Sequence, residues 1–311
     1  MLRKFFDQTF AHKPILAILA ALYAALAMGF SPVMVRLSEV GPFATAFFRF
    51  FLAFPILMTW MIFDNLKDLQ PKTPHTKRDY FLIMGAGCFL AGDISFWYLS
   101  MVHTTLVNAT LLNNLTIIIV PLAGWLLFQE KPTLSLCLGI FFTLLGSFIL
   151  VGYSFSFQTE HLIGDLYGFI SAFFYSAFMI TVKKLRDHFR PPTILAWGAL
   201  PTLYILGIAA YLNGDQFFPV TSLGWLWLFG LAIIVHVLGQ GLLTYAMAHI
   251  SAAVSVLILS LAPVFAAIFA WIIVDESLTL LQGVGAGIVL LGIIIAQESD
   301  FLTRLKLRKK I

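Results

Sequence analysis

Charge is scarce in this chain. Lys, Arg, Asp and Glu make up 11% of 311 residues, against 60% hydrophobic residues, and the mean hydropathy is +0.94. This balance excludes an ordinary soluble domain and leaves an all-α integral membrane protein as the expected class. Cysteine is scarce too: Cys88 and Cys137 lie in separate apolar runs without CxxC or Cys/His spacing. That excludes a disulfide framework or thiolate metal site and leaves the two as expected packing residues. HExxH is missing, and His103 and His249 sit isolated at short loops on opposite sides, so the different-class alternative, an intramembrane enzyme, has no motif behind it. No cofactor or metal is expected. The net charge of +4 does not indicate nucleic acid, because the basic residues lie between apolar runs and in the tails. The first apolar run, about 14–35, exceeds a signal-peptide core and lacks a convincing cleavage site, so it is expected to remain as a helix.

What is present is a series of long apolar runs. With about 20 residues needed per spanning helix, the sequence predicts ten spans, at 14–37, 43–63, 80–101, 104–129, 133–152, 163–185, 192–212, 222–248, 251–273 and 279–297. An N-terminus in the cytoplasm puts 17 of the 19 Lys and Arg in inside segments. The positive-inside rule then predicts an even number of spans and both termini cytoplasmic, in the cell (inner) membrane. Residues 1–13 form an N-terminal segment and 298–311 a basic tail.

The chain also resembles itself at an offset of 146. Met101 aligns with Met247, His103 with His249, Trp125 with Trp271, Glu130 with Glu276, Thr133 with Thr279, Gly139 with Gly285 and Gly146 with Gly292. The expected organisation is therefore two five-helix repeats, 14–152 and 153–297. An odd number of spans per repeat inverts the second copy, the architecture of alternating access.

These residues are similar to the drug/metabolite transporter superfamily, specifically its ten-helix EamA family. The resemblance rests on Glu130, Thr133, Gly139 and Gly146 in one half, on Pro263, Glu276, Thr279, Gln282, Gly285 and Gly292 in the other, and on Arg49 after Gly41-Pro42. It implies a proton- or exchange-driven carrier of small metabolites and does not name the cargo. One departure is that Ile117 stands opposite Pro263, with a proline four residues later at Pro121. The bends of the fourth and ninth spans are therefore expected to differ.

Polar residues inside apolar spans are the candidate site. Asp93 costs roughly 2.5–3.5 kcal/mol at mid-membrane. It lies at nearly the depth of Arg49, about 12 Å against about 9 Å from the outer helix ends. The two are candidates for an ion pair, and Asp93 equally for binding a cationic substrate or carrying a coupling proton. Trp97 shares its helical face and could add a cation–π surface. Asn108, Asn113 and Asn114 form an amide cluster, suited to ligand contact or to interhelical hydrogen bonds. His236, Gln240 and Thr244 make a four-residue-spaced polar stripe, with His236 a candidate proton carrier. Tyr23 on the first span and Tyr167, Ser171 and Tyr175 on the sixth complete the candidate lining. Trp197, Tyr204 and Tyr211 make a further stripe, read equally as a packing seam. Trp225, Trp227 and Trp271 near outer ends are assigned to an aromatic belt.

An acid, amides and aromatics with one deep arginine favour an amino acid or organic amine. Sugar phosphates would call for several cavity cations. The alternative cargo is a nucleotide-derived metabolite, whose base the aromatics could stack. The expected partners are a small-molecule substrate, protons as one possible coupling ion, and the lipid bilayer, with the protein a monomer or homodimer.

Overall fold

Long runs of Leu, Ile, Phe, Ala and Val with almost no charge satisfy their backbone internally only as helices when lipid surrounds them. The computed structural model describes residues 2–66, 73–104, 106–129, 132–151, 162–274 and 279–308, and among these it is helical with no strand. In order the helices are α1 (Leu2–Leu37), α2 (Pro42–Leu66), α3 (Lys77–His103), α4 (Leu106–Asn113), α5 (Thr116–Phe128), α6 (Leu134–Val151), α7 (Leu162–Leu185), α8 (Pro191–Asn213) and α9 (Ser222–Gly230). A π-helical segment (Leu231–Gln240) follows, then α10 (Gly241–Ala246), α11 (Ala252–Leu259), α12 (Ala262–Val274) and α13 (Leu280–Arg308).

Seven stretches are long and apolar enough to cross a membrane: Ile15–Leu37, Pro42–Leu66, Lys77–His103, Leu162–Leu185, Pro191–Asn213, Ser222–Ala246 and Ala252–Ile273. Three shorter apolar stretches lie at Leu111–Leu127, Leu134–Leu150 and Leu280–Ala296. Glu130 and Glu276, expected at hairpin turns, fall outside the described residues.

The helices gather into two compact units that do not follow the sequence halves. The first takes Met1–Ala91 and Thr181–Ser251, and the second takes Gly92–Ile180 and Ala252–Ile311. Each unit thus draws on both expected repeats, and α3 and α7 each contribute to both.

In the first unit α2 packs on α8, and α1 packs on the π segment and α10. One core joins Ala53, Leu57 and Met61 of α2 to Leu195 and Ala196 of α8 and to Ala232 and Val237 of the π segment. Another joins Met34, Phe48, Leu228, Leu231 and Val235, with Trp225 and Trp227 packed against it. The two tryptophans assigned to a belt therefore also pack on protein; Trp271, 53% exposed, stays outward. Helix α3 approaches α8 at Gly87, where a Cβ would come within 2.0 Å of the Gly198 carbonyl oxygen.

The loops of this unit are tied by charge. Glu39 accepts from the Thr221 hydroxyl at 2.6 Å and from the Thr221 and Val220 amides at 3.0 and 3.1 Å. Those bonds, the hydroxyl first, hold its carboxyl below its ordinary pKa of 4.5. Asp215 accepts from the Ala44 amide in the first turn of α2 at 2.8 Å, where an anion complements the helix dipole. Lys183 donates to the Met247 and Ile250 carbonyls at 2.6 and 3.0 Å, and Arg186 to the Thr244 carbonyl at 2.9 Å. These cations cover carbonyls at the end of α10.

In the second unit α6 and α13 form the tightest pair. A Cβ on Gly139 would lie 2.7 Å from the Gly292 oxygen, and one on Gly146 would lie 2.7 Å from the Gly285 oxygen. Residues that climb along α6 meet residues that descend along α13, so the helices run antiparallel. The four glycines let the backbones touch, as small residues do between membrane helices.

Two apolar stretches of this unit are interrupted. Between α4 and α5 the break falls at Asn114–Leu115, and between α11 and α12 at Ser260–Leu261, the same position at the 146-residue offset. The two breaks fall at equivalent places although Ile117 stands opposite Pro263. Both breaks tighten to i→i−3 bonding, with Leu115 donating to Leu112 and Ile117 to Asn114 in one, and Leu261 to Ile258 in the other. The causes differ. Pro263 is the second residue of α12 and cannot donate to Leu259. In the first copy Asn113 and Asn114 compete with helical bonding, and Thr116 donates its hydroxyl to the Asn113 carbonyl at 2.7 Å.

The packing role expected of the cysteines is wrong: Cys88 and Cys137 are both exposed. In lipid an outward apolar side chain carries no hydration penalty, so apolarity does not signal burial there.

Candidate functional site

The break after α4 lets Asn113 end a helix inside an apolar stretch and turn its amide toward α3 and α7. Its Nδ2 donates to Asp93 Oδ1 at 3.1 Å and to Ser171 Oγ at 2.7 Å, and the Ser171 hydroxyl donates to the same Asp93 oxygen at 2.7 Å. Three elements of the second unit thus converge on one carboxylate oxygen. Two donors offset part of the cost of an acid at this depth, and charge-assisted bonds are about twice as strong as neutral ones. Asp93 and Asn113 remain half-buried, whereas Ser171 is fully buried.

Around this centre, Tyr167 sits one turn before Ser171 with its ring 5.9 Å from Phe96 and 5.7 Å from His103. Tyr175 packs on Phe178 at 6.0 Å. Trp97, one turn beyond Asp93, is half-buried with its ring 5.4 Å from Tyr98. Asn114 projects differently from Asn113, and its buried Nδ2 has no hydrogen-bond partner among the described residues. Asn108 is in α4; its side chain lies outside the described residues. Beside the same break lies an apolar groove of about 420 Å³ lined by Leu111, Leu112, Leu115, Phe141, Leu144, Leu145 and Phe148.

The remaining candidates belong to the first unit. Arg49, weighed as a partner of Asp93, lies on α2 with its guanidinium carbon 5.9 Å from the Phe50 ring centroid. His236 and Gln240 are each 1% exposed and sit on the π segment, not on the regular α-helix their spacing suggested. Thr244, fully buried on α10, donates its hydroxyl to the Gln240 carbonyl at 2.8 Å. Tyr23 is half-buried on α1. Tyr204 and Tyr211 are 72% and 80% exposed.

The sequence did not nominate Asp165, which accepts from the Thr104 hydroxyl at 2.8 Å. Its position in the first turn of α7 was the available signal. It also missed the buried hydroxyls of Ser95 and Ser100, which have no hydrogen-bond partner among the described residues. Among the described residues no group of three or more His, Cys, Asp or Glu could hold a metal ion.

A polar constellation at broken helices in an apolar bundle is transporter chemistry, and comparison with known proteins agrees. The sequence profile of the EamA-like transporter family matches residues 15–152 and again 162–296. The chain belongs to the EamA-like transporter family. Among similar curated proteins, an "Uncharacterized transporter" of Archaeoglobus fulgidus is 24% identical over 282 residues, covering 89% of this chain and 94% of that one. A second of the same description and organism is 26% identical over 284 residues, covering 90% and 83%. A solved structure described as "Crystal structure of protein" superposes with a TM-score of 0.77 at 18% identity, over 91% of this chain and 98% of that one. That likeness concerns the fold alone. As an EamA member the protein is a multi-pass membrane transporter and not an enzyme. Its bilayer is where the apolar exposed faces of its helices belong.

Proposed function

We propose that this EamA protein is a secondary active transporter that moves a small amphipathic metabolite, an amino acid or organic amine, by alternating access coupled to protons or to exchange. The observation that carries the reading is the Asp93–Asn113–Ser171 cluster at the interruption between α4 and α5. Transporters of this kind build substrate and coupling-ion sites at discontinuous helices. An acid there recognises an ammonium group or accepts a proton, and Trp97 on the same face adds attraction for a cation.

Ten spanning helices in two inverted repeats, 14–152 and 153–297, with both termini cytoplasmic in the inner membrane, belong to the same proposal. Support comes from the antiparallel contact of α6 with α13, which are equivalent at the 146-residue offset. The two equivalent helix breaks and the placement of Lys and Arg add to it.

The test is uptake and counterflow in proteoliposomes across amino acids, choline-like amines, nucleosides and sugar phosphates. Saturable flux of an amine-bearing compound is expected, reduced tenfold or more by Asp93→Asn with the thermal unfolding midpoint retained. Flux of phosphates alone, or amine flux unchanged in Asp93→Asn, overturns the proposal. Flux confined to nucleosides moves the cargo to the nucleotide-derived class.

A further inference from the structure

The first unit holds a second polar group that the Asp93 cluster does not involve. Between α9 and α10 the chain winds i→i+5 over Leu231–Gln240, and such widened turns recur at functional sites. His236 and Gln240 lie four residues apart on this wide turn, and so on one side of it. Both are buried at 1% exposure, yet among the described residues neither imidazole nitrogen nor the Gln240 amide nitrogen has a hydrogen-bond partner. Buried polar groups are almost always paired, and leaving one unpaired costs its full desolvation. Three unpaired atoms on one turn mark a place prepared for a polar visitor.

The surroundings indicate its charge. The Phe50 ring, its centroid 4.2 Å from the imidazole centroid, covers one side. Arg49, the preceding residue of α2, has its guanidinium carbon 5.9 Å from the centroid of the same Phe50 ring. A neutral imidazole offers one N–H and one acceptor nitrogen, and the glutamine amide offers two N–H. Donors gathered beside a cation select an oxygen acceptor that carries negative charge.

We propose that His236 and Gln240 of the first unit bind a carboxylate-bearing small molecule. The inference goes beyond the transporter reading and does not require that the Asp93 cluster hold the same molecule.

The full chain in lipid nanodiscs tests this by thermal unfolding with phenylalanine, methionine and leucine, each beside its decarboxylated amine and its deaminated acid. Compounds bearing a carboxylate should raise the midpoint where the matching amines do not. His236→Phe and Gln240→Leu should weaken carboxylate affinity tenfold or more while the unliganded midpoint stays level or rises, since apolar groups of similar size remove the unpaired atoms. Gln240→Glu, nearly isosteric, should reject carboxylates through like charge. Stabilisation by amines alone or by no compound, unchanged carboxylate affinity in the variants, or a lower unliganded midpoint in both His236→Phe and Gln240→Leu overturns the proposal; that last result assigns the pair to the fold or to bound water. Carboxylate binding without counterflow in proteoliposomes would refute alternating-access transport and leave the binding assignment standing.

Discussion

The two interrupted helices of the second unit, α4–α5 and α11–α12, break at equivalent residues by different chemistry. The second break has Pro263 and few polar groups: Ser260 turns its hydroxyl back to the Leu257 carbonyl. The first has no proline at that place and is rich in amides, one of which reaches Asp93. The difference teaches that the position of a break can persist while its cause changes. The amides at the first break also bring a side chain to Asp93.

The largest expected effect tests the symmetry behind this comparison. Gly146→Leu and Gly285→Leu should each cost about 3 kcal/mol by overpacking, because each drives a side chain into the other's backbone. Gly287→Leu, with nothing within 4 Å of its Cβ position, should be nearly silent. Thermal melts in detergent would check all three, and unequal effects of the first two would break the equivalence of α6 and α13. Next comes Asp93→Ala, which removes the acceptor of two charge-assisted bonds and should cost about 2 kcal/mol besides flux. Its repeat equivalent Gly239 has no acid to lose.

Pro263→Ala should then let α11 and α12 join. Amide exchange at Leu261 is expected to slow about tenfold, near 1.4 kcal/mol of added protection, whereas Pro121→Ala should leave the exchange of Leu115 unchanged. Thr116→Val should cost about 1 kcal/mol, the net worth of one buried hydrogen bond, because the first break relies on that hydroxyl. The smallest effect lies outside the pair. The lowered pKa of Glu39 means its contribution is present above about pH 4.5 and is lost as pH falls through the lower folded value. A pH series of melts should show Glu39→Gln removing a shallow acid-side slope.

Much of this was legible in the sequence because membrane helices follow from apolar length alone. Asp93, Asn113 and Ser171 could each be nominated from one dimension, since a polar residue in an apolar run is conspicuous. Their convergence could not: periodicity gives the face of a helix and not the neighbour across from it, and the partners lie 20, 58 and 78 residues apart. The π segment was unreadable for a related reason. Spacing of four suits an α-helix equally well, so His236, Gln240 and Thr244 gave no sign of the wider winding. The compact units were hidden too, because each is assembled from both halves of the chain while the repeat runs along it. Cys88 and Cys137 misled because the rule that equates apolar with interior belongs to water.

The glycine contact of α6 with α13 has a consequence for how the chain must be made. Each of these helices carries a notched surface that is matched by the other, more than a hundred residues away. A ribosome that has just released the earlier helix has therefore produced a piece without its counterpart. Assembly has to wait until the last helix arrives before the earlier notch can close.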